Sequence, residues 1–300
     1  MITTRRDFIK TIGGASAVML AGATPLDAFA GGKNEVILSG HLWVYASKYP
    51  PDWNCNPILE TVFSDFKYAG FRGLEVMESN LRGNDAVPKF KELIDKYKLP
   101  VTGASYYGDM WDKNQAPRIM DDITMVIERL GQLKANNIGI TVGVAQRRKT
   151  EEELDHQAEM VKQILKVCAK NNIEGNLHNH TFEVADGMHD LKGTLARIPD
   201  VKLGPDLNWL IRGGVDPVWF IETYGHQMTY MHLRDQYANG KWTEYLGQGV
   251  TDFKAIAKAL KKVNFKGRAA IELAFDSDPV NPIKENLKTS RQYVKKVFGW

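Results

Sequence analysis

The chain reads as an α/β protein folded as a single (β/α)8 TIM barrel, and three observations predict it. Short β-type runs alternate with amphipathic helical patterns along the whole chain after its first 30 residues. The 270 residues from Gly31 to Trp300 suffice for one large barrel with its own core and show no boundary at which a second domain would start. Four residues able to hold a metal end four successive apolar runs: His178 in IEGNLHNH, Asp206 in VKLGPDLNW, His232 in MTYMHLRD and Glu272 in GRAAIELA. Their separations of 28, 26 and 40 residues are each about one strand–helix unit, which brings them to one end of a parallel barrel.

The first strand is expected over Val36–Tyr45, rich in β-branched and aromatic residues, with the Pro-Pro pair at 50–51 beyond it. A helical pattern at 57–69 leads to the second strand, Gly73–Glu78, and to a helix at 86–98. The third and fourth strands, Val101–Tyr107 and Asn137–Val144, enclose a helix at 117–135. The helix at 151–171 sets Leu154, Ala158, Val161, Ile164, Leu165 and Cys168 on one face and Lys162, Lys166 and Lys170 on the other. The fifth strand, Ile173–His180, precedes a helix at 187–198; the sixth, Lys202–Asn208, is followed by Gly-Gly at 213–214 and a helix at 216–224. The seventh, Met228–Arg234, precedes a helix at 252–263, and the eighth, Ala269–Ala274, passes through the Asp276–Pro282 run to a last helix at 281–298.

Residues 1–30 are set apart from this fold. Arg5-Arg6, Phe8, a weakly apolar stretch from Ile12 to Ala23 and the small-x-small Ala28-Phe29-Ala30 resemble a twin-arginine export signal with its cleavage site. The resemblance implies a mature protein from near Gly31 that folds before export and works in the periplasm. The stretch is too short, and with Gly13, Gly14 and Gly22 too loose, to span a bilayer, so no stable membrane insertion is expected.

Without these residues 36 basic side chains face 34 acidic ones, and a net charge of +2 argues against nucleic acid or an acidic membrane as a partner. Cys55 falls in a Pro-rich loop and Cys168 on a helix face, so no disulfide is expected between them. Oligomeric state is open, with a homo-oligomer as the candidate assembly.

A barrel gathers the carboxyl ends of its strands at one rim, where imidazoles and carboxylates together suit a divalent ion. Taken singly, each has an ordinary structural use: a histidine bonded to a carbonyl, an aspartate capping a turn, a glutamate in an ion pair. Four ionisable groups at equivalent strand ends are costly to bury without a cation, so their register favours one divalent metal held by His178, Asp206, His232 and Glu272. Around them His41 ends strand one, Glu75 and Glu78 lie in strand two, and His180 shares the facing of His178, with Glu183 beyond. His41 and His180 are the acid–base candidates, although a histidine that merely orients a ligand looks the same in sequence. Glu75 is read as an interior structural or orienting carboxylate. Arg234 shares the inward direction of His232 and is expected to hold a substrate oxygen; Arg212, in IRGG, is read as a surface or gating residue.

Aromatic residues crowd the same rim: Trp43, Tyr45, Trp53, Tyr106, Tyr107, Trp111, Trp209 and Trp242. Such faces bind the C–H side of a pyranose, or else fill the core; Trp43, Trp111 and Trp209 are the substrate-binding candidates. Nothing looks like a Gly-rich phosphate cradle, so the partner expected is a small uncharged sugar or glycoside rather than a sugar phosphate.

The segments GFRGLEVM at 70–77, NLHNHTFE at 176–183, LGPDLNWL at 203–210, MHLRDQ at 231–236 with YLGQGVTDF at 245–253, and AAIELAF at 269–275 occur in a telling order and spacing. Together they resemble the xylose-isomerase-like barrels, which include sugar-phosphate isomerases, ketose 3-epimerases and inosose dehydratases. The resemblance implies metal ligation by Asp206, His232 and Glu272, and leans to Mn²⁺, with Mg²⁺, Co²⁺, Fe²⁺ or Zn²⁺ as the other candidates. The family usually has a glutamate at the strand-five position, where this chain has His178.

That departure bears on the reaction. In epimerase members the strand-five and strand-eight glutamates flank the carbon that loses its proton, each able to act as acid or base. A metal-bound imidazole keeps no lone pair for that work. The expectation is therefore proton abstraction next to a carbonyl, with Glu272 or His180 as base, leading to isomerisation or epimerisation; β-elimination by a lyase or dehydratase is the alternative. A metal endonuclease shares the barrel but needs more ligands and a basic groove, and a non-catalytic carbohydrate-binding barrel remains the bland alternative.

Overall fold

Because every strand-to-strand return passes through a helix, the strands can pair only in parallel, and they do. The computed structural model describes residues 36–300. The arginine pair, the apolar stretch and Ala28-Phe29-Ala30 lie outside the described residues.

In chain order the elements are β1 (Ile37–His41), α1 (Trp43–Ala46), α2 (Leu59–Tyr68), β2 (Leu74–Met77), α3 (Ala86–Tyr97), β3 (Val101–Tyr107), α4 (Ala116–Gln132), β4 (Asn137–Thr141) and α5 (Glu151–Lys170). They continue with β5 (Glu174–Leu177), α6 (Thr181–Arg197), α7 (Leu207–Arg212), α8 (Pro217–Tyr224), β6 (His232–Leu233), α9 (Phe253–Lys262), β7 (Arg268–Ile271) and α10 (Ile283–Phe298). The sheet runs β5-β4-β3-β2-β1-β7-β6. Leu203 and Asp206 fill the gap between its edges: Leu203 bridges Leu177 and Met228, and Asp206 bridges His232. The TIM barrel is thus closed by a segment that is barely a strand. Outside it, α2 packs on α3, α4 to α10 touch in succession, and α10 returns against α2.

Several sequence expectations are corrected in extent. Strand one ends at His41, and Trp43–Ala46 turn into a short helix whose Val44, Tyr45 and Ala46 are buried. A short apolar run serves a buried helix as well as a strand, so periodicity could not separate the two. The sixth strand shrinks because Pro205 has no N–H to donate and Asp206 already caps α7. The seventh, expected over Met228–Arg234, keeps regular pairing only at His232–Leu233. Helix α5 begins where Thr150 and Glu153 form a capping box, the hydroxyl accepting from Glu153 N at 3.2 Å. Helix α6 starts earlier than expected and breaks at 185–188, where Asp186, Gly187 and Met188 all have positive φ.

Polar side chains run down the barrel interior. Ser39 meets Thr102 at 2.9 Å and Asn176 donates to Asn137 at 2.7 Å. A Cβ on Gly204 would lie 1.9 Å from Asn176 Oδ1, so only glycine lets the closing segment approach. Tyr45 and Tyr106, read as rim aromatics, are instead buried, with hydroxyls bonded to Asp65 and Asp122. Cys55 and Cys168 are buried and free. No helix among the described residues is long and apolar enough to cross a membrane.

Candidate active site

The pleat brings His41, Glu75, His178, Asp206, His232 and Glu272 to the mouth formed by the strand ends. All six are buried. Ligand atoms of His178, Asp206 and His232 lie within 4.8 Å of one another. Glu272 joins them through His232, its Oε2 standing 2.6 Å from Nδ1.

His178 Nδ1 lies 2.9 Å from the Gly204 carbonyl. A carbonyl only accepts, so Nδ1 is protonated and Nε2 keeps its lone pair. Burial, then the neighbouring His232 and His180, hold His178 well below the ordinary histidine range, in the neutral form a metal needs. Asp206 spends Oδ1 on the Asn208 and Trp209 amides, at 2.8 and 3.0 Å. Its Oδ2 and Nδ1 of His232 are buried and make no well-aligned hydrogen bond among the described residues, each meeting only a charged neighbour, Arg234 Nε at 2.9 Å and Glu272 Oε2 at 2.6 Å. Two buried donor atoms held only by poorly aligned ion pairs, beside a free imidazole nitrogen, fit a divalent cation that would displace the His232 proton and the Arg234 contact.

His232 is gripped on both nitrogens, Nε2 lying 2.8 Å from Glu75 Oε2. Burial opposes its charge, but Glu75 and Glu272 outweigh burial and push it up to about 10. Glu75 also accepts from Tyr230 on Oε2 and from Ser105 on Oε1, the latter at 3.0 Å. Ser105 in turn receives His41 Nε2 at 2.9 Å, while His41 Nδ1 accepts Trp43 N at 3.0 Å. His41, Glu75 and His232 could in principle also form a cation site, but their facing atoms are already joined by these bonds. His41, expected as an acid–base residue, has both nitrogens engaged, by Ser105 and by the Trp43 amide.

Arg234 is 4% exposed and lies across two carboxylates, its Nε 2.9 Å from Asp206 Oδ2 and its Nη2 on Glu272. Burial would raise the Glu272 pKa, yet Arg234, His41 and His232 hold it well below the ordinary carboxylate range. Asp206 shifts upward because burial outweighs Arg234, with Glu272 adding to the rise. Where the sequence suggested that Arg234 holds a substrate oxygen, the structure gives it ion pairs.

His180 stands beside this cluster, its ring 5.4 Å from His178, stacked on Phe182 at 5.5 Å and 5.6 Å from Trp209. Nδ1 contacts Thr141 Oγ1 at 3.4 Å, and Nε2 has no partner among the described residues. Burial lowers its pKa to about 4. Glu183 secures the turn beneath by accepting the His180 amide at 2.7 Å. Trp43 packs on Trp53 at 5.5 Å, and Trp209 meets Trp242 edge-on at 5.2 Å. Trp111 has no ring contact with the histidines among the described residues and lies beneath Arg147 instead.

The links through Ser105 and Tyr230 were missed in sequence. Tyr230 carried a signal, standing two residues before His232 on the same strand face. Ser105 carried none.

An inosose dehydratase of Klebsiella pneumoniae (strain 342) is 23% identical over 283 residues, covering 83% of this chain and 93% of the relative. Among solved structures, a sugar phosphate isomerase/epimerase from Parabacteroides distasonis ATCC 8503 has a TM-score of 0.70 at 16% identity, over 89% of this chain and 95% of its own. The 3-keto-D-glucoside 4-epimerase of E. coli has a TM-score of 0.66 at 16% identity, over 87% of this chain and 100% of its own. The model of the xylose isomerase-like TIM barrel family matches residues 63–296, most of the chain, and the protein belongs to that family.

Proposed function

We propose that this protein is a divalent-metal-dependent sugar isomerase or epimerase that abstracts a proton next to a carbonyl of an unphosphorylated sugar or glycoside. The observation that carries the reading is the convergence of His178, Asp206 and His232 within 4.8 Å, with Glu272 on the same His232. These four residues would hold the cation, which when bound polarises the substrate carbonyl and acidifies the adjacent C–H. Two imidazoles and two carboxylates suit Mn²⁺, Fe²⁺, Co²⁺ or Zn²⁺, and the family resemblance makes Mn²⁺ the first choice.

His180 is the base in this reading. In the tautomer whose Nδ1–H is donated to Thr141 Oγ1, Nε2 is left to take the proton, and burial keeps the ring neutral at physiological pH. Glu272 is engaged at both oxygens by Arg234 and His232, so it would ligate the cation by giving up one of these ion pairs and is less free than His180 to act as base. Trp209 and Trp43 offer faces for the sugar ring.

Elimination of a β-hydroxyl or glycosidic oxygen is the second reading. It is favoured by the histidine at the strand-five position, which leaves no second carboxylate for two-sided epimerisation, and by the likeness to a dehydratase. Incubating the purified chain with Mn²⁺ and a panel of keto-sugars and keto-glycosides in D₂O separates the two. Deuterium in an isomer supports isomerisation, deuterium with loss of water or alcohol supports elimination, and conversion without deuterium overturns proton exchange with solvent in favour of a hydride shift.

A further inference from the structure

We propose that Arg212, stacked on Trp242 and Trp209 at the barrel mouth, anchors a carboxylate-binding subsite, so that the substrate is a sugar acid or a glycoside bearing one. This rests on the reading of the mouth as a sugar site and replaces the uncharged substrate by an anionic one.

Arg212 ends α7, the short helix that Asp206 caps. Its guanidinium carbon lies 3.5 Å over the Trp242 ring and 4.9 Å over the Trp209 ring. Nε donates to Gln236 Oε1 at 2.9 Å and Nη2 to the Gly240 carbonyl. Those bonds use one edge of the guanidinium. The other edge, Nη1 with the outer Nη2 hydrogen, has no partner among the described residues.

Arg82, Arg197 and Arg234 each hold two carboxylates, whereas Arg212 has none within ion-pair distance among the described residues. Arg118 and Arg129 likewise meet no carboxylate at that distance among the described residues, bonding to Gln115 and to the Leu81 carbonyl, but neither lies over an indole as Arg212 does. A second guanidinium shares its indoles: Arg234 lies 4.9 Å over Trp242 and 5.3 Å over Trp209. Burial first, then Arg234, lower the proton affinity of Arg212, against a smaller opposing pull from Asp276 and Asp206. A half-buried charge beside another of its own sign is stabilised by an incoming anion.

The neighbourhood also lacks an acceptor. Nε1 of Trp209 is buried with no hydrogen-bond partner among the described residues, although this ring touches both Arg212 and His180. A ligand oxygen would satisfy it. Indole faces suit a sugar ring, and a free guanidinium edge presents two parallel N–H groups to the two oxygens of a carboxylate.

The test is calorimetric binding of methyl β-D-glucuronide and methyl β-D-glucoside, which differ only in a carboxylate for a hydroxymethyl, to the purified Mn²⁺-supplemented chain. The wild type should bind the glucuronide on the order of tenfold more tightly, with the preference shrinking as salt rises. Arg212→Gln should bring the two affinities to within about twofold, and Arg212→Lys should recover part of the difference. Equal binding or no binding of the two by the wild type, or an intact preference in a folded Arg212→Gln, overturns the proposal. A wild type that prefers the glucuronide yet converts no keto-sugar or keto-glycoside would overturn the proposed reaction and leave this subsite standing.

Discussion

Glu75 Oε2 stands 2.8 Å from His232 Nε2, joining two residues 157 positions apart and fixing which face of the imidazole meets the site. Nδ1 is thereby left for Asp206, His178 and Glu272. A carboxylate behind a ligating histidine sets the tautomer and raises its basicity, and losing such a partner typically costs about 10–100-fold in metal affinity or activity. Glu75→Gln should therefore weaken Mn²⁺ binding by that order, measured by titration of the metal-stripped chain. Affinity within about twofold of wild type would show that His232 needs no such orientation.

The four strand-end residues proposed to hold the cation make a separate prediction. Stripping metal with a chelator should abolish turnover and lower Tm, because a cation bound only by the folded state at 100 times its Kd adds about 2.7 kcal/mol. His178→Ala and Asp206→Ala should each lose most of the metal seen by elemental analysis. Full metal content in Asp206→Ala would move the site elsewhere.

What the sequence disclosed was whatever repeats along the chain. Strand-end register named His178, Asp206, His232 and Glu272, because one strand–helix unit is a local length. Pairings across the barrel have no such period: Ser105 between His41 and Glu75 depends on three strands lying side by side. The same holds for Arg234, whose inward direction was legible from its spacing to His232 but whose pairing with Glu272 was not. Short apolar runs misled for a different reason, as Trp43–Ala46 shows, since burial on all sides erases the two-residue alternation that marks a strand.

His180→Asn tests the base. The amide keeps a polar group near Thr141 but cannot take a proton, so kcat should fall about 10²–10⁴-fold, the usual worth of a positioned base. Metal content should be retained, since His180 lies beside the ligand set rather than in it. Turnover near wild type would return the proton abstraction to Glu272.

Glu78 governs how stability varies with pH. It follows β2 in a buried turn, with Oε1 3.7 Å from Arg82 Nη2 and Oε2 lacking any hydrogen bond among the described residues. Arg82 is taken up by Asp122, with bonds of 2.9 and 2.8 Å. Burial therefore prevails and pushes Glu78 up to about 7, against 4.5 for an unperturbed glutamate. The folded state prefers the protonated acid, so this contribution is fully present below pH 4.5 and is lost as pH rises towards 7. At about 1.36 kcal/mol per pKa unit the loss is at most roughly 3 kcal/mol. Glu78→Gln keeps the shape without the proton, so it should match wild type near pH 4.5 and exceed it in urea denaturation at pH 8. Equal stability of the two proteins at pH 8 would mean that Arg82 neutralises Glu78 after all.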